Sequence, residues 1–138
     1  MRATLRMALR VQSAGCTTNC DAADVYRVST WETTGIIPRF NNSGTQITVL
    51  VLQNTGDLPM DVDIRFWSGT GASLGGPGLQ TLGPHQGYVL NTSTIAPGSS
   101  GSITVANTGR YGSLAGKAVA VEPATGFTFD SPLLTRPR

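Results

Sequence analysis

Thr45-Gln-Ile-Thr-Val-Leu-Val-Leu-Gln-Asn54, then Thr55-Gly-Asp-Leu-Pro59, then Met60-Asp-Val-Asp-Ile-Arg-Phe-Trp67, carries two strand signatures of different kinds. From Ile47 to Leu52, five of six residues are apolar, and three of those are β-branched. Such a run is apolar on both faces, which places the strand inside a sheet rather than at its rim. The second run alternates. Met60, Val62, Ile64 and Phe66 share one side; Asp61, Asp63, Arg65 and Trp67 share the other. A period of two with one apolar side means a strand with one face in a core and one toward water. Asn54-Thr-Gly-Asp57 between them is a turn signal, so the two runs are expected to form a β-hairpin.

Composition agrees with a turn-rich β protein. The chain has 138 residues, a single-domain length, and is 39% hydrophobic. Charged residues make up only 13%, about half the usual share. The 17 Gly and 8 Pro, together with many Thr, Ser and Asn, suit loops and a neutral, hydroxyl-rich surface of the kind extracellular modules carry. Net charge is +2, spread over ten basic and eight acidic residues. Without a Lys/Arg run to track phosphates, nucleic acid is not expected as a partner. No apolar stretch reaches the roughly 18 to 20 residues that span a bilayer. Arginines interrupt each apolar run in Met1–Arg10, so that stretch does not read as a secretory signal. An extracellular role would place the signal upstream in a longer precursor, or make this chain a fragment.

At the N-terminus Ala3, Leu5, Met7, Leu9 and Val11 alternate with Arg2, Thr4, Arg6, Arg10 and Gln12. Ala, Leu, Arg and Met favour helix, but a period of two over ten residues favours a strand. Its terminal position allows it to be the first strand of the fold or to pair with a neighbouring module or subunit through Leu5, Met7, Leu9 and Val11. Cys16 and Cys20 follow in a polar loop, three residues apart. They can close a small disulfide worth about 2 kcal/mol, or remain free thiols. Zinc would need two further ligands, and the chain has one His.

Further strands are expected at Asp24–Glu32, Leu79–Leu82, Gly87–Asn91, Ser102–Ala106 and Lys117–Glu122, the last with small and branched residues suited to a tight interior. Thr34–Phe40 reads as a short extended piece that Pro38 confines to an edge or to the gap between sheets. Ser68–Gly78, dense in glycine, reads as a flexible hairpin tip. Gly69-Thr-Gly71 lacks the strand-to-helix context of a phosphate cradle. Phe127 and Phe129 share a face, and the tail from Ser131, with Pro132 and Pro137, is expected to be irregular. About seven to nine short strands, turn signals about every ten residues and no convincing helix give an all-β, antiparallel sandwich of the immunoglobulin or fibronectin type. Residues 1–23 form an N-terminal strand and Cys loop, and residues 24–138 the sandwich.

Chemistry finds little purchase. His85 sits in a Gly-Pro-His-Gln turn with no nucleophile or orienting acid marked by the sequence. Asp61 and Asp63 supply two carboxylates toward a calcium site that needs six to eight oxygens, and no Asp/Asn/Gly loop of the right density surrounds them. No paired carboxylates, G-x-S-x-G, H-E-x-x-H or P-loop is present. The expectation is no catalysis, no cofactor and no metal. Trp67 on an otherwise polar strip either contacts a ligand, as an aromatic can stack on a sugar ring, or packs under a loop. Asn41-Asn-Ser43 and Asn91-Thr-Ser93 fit the glycosylation acceptor pattern.

Val51-Leu-Gln-Asn-Thr-Gly-Asp57, Val62-Asp-Ile-Arg-Phe66, Leu82-Gly-Pro-His85, Val89-Leu-Asn91, Pro97-Gly98 and Gly101-Ser-Ile-Thr-Val105 together resemble bacterial extracellular immunoglobulin-like modules. Gly116–Asp130 resembles the close of C-terminal domains in large secreted bacterial proteins. The resemblance covers Asp24 to Arg138. It implies a fold rather than an activity. The apolar face of Met1–Gln12, which needs a partner, gives the leading expectation: a noncatalytic, secreted or cell-surface structural module that packs against the rest of a longer polypeptide or against copies of itself in an oligomer or fibre. A carbohydrate-binding module using Trp67 and the loop 68–78 is the alternative.

Overall fold

In the computed structural model, residues 34–135 are described. The first domain segment, residues 1–23 with Leu5, Met7, Leu9, Val11, Cys16 and Cys20, and the strand expected at Asp24–Glu32 lie outside them. The described residues form nine strands: β1 Thr34–Asn41, β2 Ile47–Asn54, β3 Met60–Ser68, β4 Ser73–Leu82, β5 Gly87–Asn91, β6 Ser100–Asn107, β7 Leu114–Glu122, β8 Phe127–Pro132 and β9 Leu134–Thr135. The first sheet runs β4-β3-β6-β1-β9 and the second β5-β2-β7-β8. Every pairing is antiparallel. This is the expected all-β, two-layer antiparallel sandwich. Its core joins Ile37, Phe40, Leu50, Leu52, Val62, Ile64, Phe66, Ile103 and Val105, each fully enclosed. Phe40 and Phe66 meet edge to face, ring centres 5.2 Å apart, which is a favoured aromatic geometry.

The central stretch is not a hairpin. β2 lies in the second sheet and β3 in the first, so residues 55–59 carry the chain across the core. Both edges of β2 are already taken, by β5 and β7. Asn54 fixes the crossing. It is fully buried, its Oδ1 accepts from Gly56 N at 2.9 Å, and its Nδ2 donates to Leu58 O at 2.7 Å and Gly83 O at 2.9 Å. The return crossing from β6 to β7 repeats the device: Asn107 Oδ1 accepts from Gly109 N at 3.0 Å. Both turns read Asn-Thr-Gly, and they are stitched together. Thr55 N donates to Ser113 O, and Asp61 N donates to Thr108 Oγ1. At the opposite end a buried set of Asn42, Thr48 and Thr92 satisfies one another and joins the β1–β2 crossing to a 3-10 turn at Thr92–Thr94. Buried amides and hydroxyls with every partner in place specify one arrangement, because any alternative strands them.

Two more expectations change. The glycine-rich stretch is a tip only at residues 69–72, closed by Ser68 N to Ala72 O. From Ser73 onward it is β4, paired with β3 through two register shifts. Glycine is required there: Gly75 and Gly78 have φ of 89° and 82°, and a Cβ on Gly76 would lie 2.0 Å from Ile64 O. Low strand propensity hid a strand whose backbone approach admits nothing larger. The tail as far as Thr135 is also strand rather than irregular. Ser131 and Pro132 finish β8, and Leu134–Thr135 crosses to pair with Gly35–Ile36 of the other sheet. Pro38 lies within the β1 bulge between Ile37 and Phe40, beyond the reach of β9, as the missing donor demands.

Gly76→Ala and Gly101→Ala, whose added Cβ would sit 2.0 and 1.8 Å from carbonyl oxygens of β3, are expected to lower unfolding free energy by about 1–3 kcal/mol. Gly69→Ala, with open space around it, should stay within about 0.5 kcal/mol of wild type. Asn54→Ala, which strands buried carbonyls, should cost about 3 kcal/mol. Urea titrations of the four proteins measure these differences.

Candidate functional site

The two outer faces of the sandwich differ in character. On the first sheet, β3 turns Asp61, Asp63 and Arg65 outward, while exposed Leu79 of β4 lies opposite Asp63 and exposed Ile36 of β1 lies opposite Thr104. Arg65 Nε pairs with Asp63, Asp61 Oδ1 accepts from Thr81 Oγ1 at 2.7 Å, and Trp67 stands among them, half-buried. Trp67 Nε1 donates to Thr104 Oγ1 at 2.8 Å on β6, which draws the indole toward the neighbouring strand. The alternation of Met60–Trp67 therefore stands as expected, and Trp67 lies on the outward face. Beyond it, Pro38, Arg39, Ser68, Gly69, Ser100 and Ser102 line a cleft of about 390 Å³.

On the second sheet a row of the outward residues is aliphatic. The pairings put Ile47 beside Val121, Val49 beside Val119, and Val51 beside Val89. Inner-face Leu50, Leu52, Ala118 and Ala120 are buried, so the alternate residues face outward. Val49, Val51, Val119 and Val121 remain partly exposed, Ile47 is 37% exposed and Val89 67% exposed. Six β-branched aliphatics thus share one outer face. The same face carries a charge pair, Lys117 opposite Val51 and Asp130 opposite Val119, joined Nζ to carboxylate at 2.6 Å. The expectation that Lys117–Glu122 is suited to a tight interior holds for its alanines and is corrected for Val119 and Val121. The sequence signal was present: both β2 and β7 are apolar at successive positions, while only one face of each meets the other sheet.

The flank between edge strands β4 and β5 is also apolar. Leu74, Tyr88, Leu90 and Ile95 pack against the core yet stay partly exposed. Partial burial raises the Tyr88 pKa above its ordinary 10.0. The opposite flank is closed. Arg39 N donates to Ser131 Oγ, the Arg39 guanidinium sits 5.1 Å from the centre of the Phe129 ring, and the β8–β9 crossing passes there.

The remaining polar residues are dispersed. His85 is exposed, adopts φ 59° at the third position of its Gly-Pro-His-Gln turn, and lies 3.1 Å from Asp57 Oδ1, also exposed. Among the described residues, no group of three or more His, Cys, Asp or Glu could hold a metal ion, and no helix is long and apolar enough to cross a membrane. Asn41, the first glycosylation-pattern residue, is buried, with Ser43 N and Oγ on its Oδ1. Asn91, the second, is exposed and caps the 3-10 turn.

No protein-family model matches the chain, and no curated protein matches it. Among solved structures, the crystal structure of Thermotoga maritima 1070 is similar, with a TM-score of 0.62 and 11% identity over 75% of this chain and 94% of that one. At that identity the likeness is one of fold.

A folded-state Tyr88 pKa above the unfolded value means its neutral form is favoured on folding. That contribution is complete below pH 10.0 and is lost as pH rises through the raised value. Tyr88→Phe should therefore lose less stability than wild type between pH 9 and the alkaline limit, read from urea midpoints across about two pH units around 10.

Proposed function

We propose that the protein is a noncatalytic structural module that works by protein–protein packing, with the aliphatic outer face of its second sheet laid against another copy of itself. The observation that carries this is the row of Ile47, Val49, Val51, Val89, Val119 and Val121 on a solvent-facing side of the sheet. Full burial of one Val or Ile is worth about 1.5–3 kcal/mol, so covering this layer supplies a real driving force. A second copy fits chemically. The charges on this face, Lys117 opposite Val51 and Asp130 opposite Val119, pair with each other, so two such faces meet without like-charge repulsion. Large contiguous apolar patches on soluble proteins mark contact sites. A secreted or cell-surface setting, where the sparse charge and hydroxyl-rich exterior are at home, belongs to the same reading.

A second reading is carbohydrate binding on the first sheet. It is favoured by the placement of Trp67 on an outer face, its indole N–H held by Thr104, one residue from the serine-lined cleft. An aromatic fixed in this way can stack on a sugar ring. Glycan-array signal lost in Trp67→Ala is the result this reading requires; an array blank with wild type removes it.

Val89 is the most exposed member of the aliphatic face. Val89→Asp should leave the thermal midpoint nearly unchanged while weakening self-association by about tenfold or more. Light scattering coupled to size exclusion over a concentration series reads this directly. A wild type that stays monomeric throughout, or a variant that associates equally well, removes the packing proposal.

A further inference from the structure

We propose that the segment Met1–Gln12 docks as an added strand along β5, its alternating apolar side chains closing the open flank between β4 and β5. The inference stands apart from the valine face, since it concerns a different surface and a different occupant.

Edges decide it first. An unpaired strand edge is a template for another strand unless something guards it. β4 is guarded by two register shifts, by Pro77 and by the left-handed Gly75 and Gly78. β8 carries Pro132 and the Asp130–Lys117 pair, and Arg39 covers its inner side at Ser131 and Phe129. β9 is two residues long. β5, Gly87-Tyr-Val-Leu-Asn91, has no proline, no charge and an unbroken register with β2. Among the described edges it alone is unprotected.

The flank beside it decides what the added strand must look like. Leu74, Tyr88, Leu90 and Ile95 extend the core to the surface there without being enclosed. An added strand beside β5 turns every second side chain toward them. It therefore needs apolar residues at alternate positions, with polar residues between to face water. Ala3, Leu5, Met7, Leu9 and Val11 meet that requirement, interleaved with Arg2, Thr4, Arg6, Arg10 and Gln12 and with the small Ala8 as the one apolar residue between them. A strand of this kind binds by main-chain hydrogen bonds, with side-chain alternation setting its register.

The connection permits it. Residues 13–33 reach up to roughly 70 Å when extended. The first sheet, from β9 beside Thr34 to β4, is five strands wide, or roughly 20 Å at ordinary strand spacing. The segment can therefore reach the flank of its own chain or that of a neighbouring copy.

Methyl NOE spectroscopy on the isotope-labelled full chain tests the docking without any substitution. NOEs from Leu5, Met7 and Leu9 to Leu74, Leu90 and Ile95 are expected, and a mixed-label sample assigns them to the same chain or to a neighbour, either being docking. Their absence, or contacts to Val49 and Val119 instead, overturns the proposal. In the Leu5→Asp/Leu9→Asp chain, the β5 amides that point away from β2 should exchange about tenfold faster or more, with β2 and β7 unchanged. Unchanged β5 exchange overturns it as well. Val121→Asp, on β7 and away from β5, separates the two surfaces: losing self-association while keeping these NOEs leaves the docking intact.

Discussion

A strand that is apolar on both sides cannot rest at a rim or face water, and β2 places that demand at the centre of this chain. Its hydrogen-bonding edges are met by β5 and β7. Its inner side chains, Leu50 and Leu52, are met by the first sheet and are fully enclosed. Its outer side chains are met by nothing among the described residues. The sandwich thus solves three sides of the problem internally and leaves the fourth outward, as a layer of partly exposed valines. The same asymmetry explains why the first sheet can afford Asp61, Asp63 and Arg65 outside while the second presents valine.

The polar residues of the interior set the path of the chain rather than its chemistry. Asn54 and Asn107 each begin an Asn-Thr-Gly turn that moves the chain from one sheet to the other, and each binds a backbone N–H two residues ahead. The Asn42, Thr48 and Thr92 set does the equivalent work at the other end. In both cases a buried polar group is satisfied only when the crossing is made correctly, so it opposes the local hairpin that the sequence pattern would otherwise favour. These groups are consumed by structure.

Side-chain periodicity made the β class, the inward residues of β3 and the interior place of β2 legible from sequence. It could not say which sheet each strand joins, because alternation reports the faces of a strand and not its neighbours. The Asn54–Pro59 stretch has the residues of a turn, and only the Asn54 side chain's reach to Gly83 reveals a crossing. β4 was hidden for a different reason: Gly75, Gly76 and Gly78 carry no side chains from which a period could be read. The outer valine layer was written in Val119 and Val121, but assigning it required knowing that one sheet covers only one of their two faces. Trp67 was placed on the outward face by alternation alone, and its bond to Thr104 belongs to pairing with β6, which the sequence does not show.

Function on this reading lies in surface, not in a reactive centre, and the unmet face of β2 is its core. Val89 and Leu58 offer a matched comparison, at 67% and 66% exposure on different parts of the described sandwich. Methyl relaxation of the full chain in the presence of a soluble paramagnetic probe compares them directly. If the valine layer is covered by a second copy, Val89 methyls are broadened far less than those of Leu58. Equal broadening of the two would contradict it.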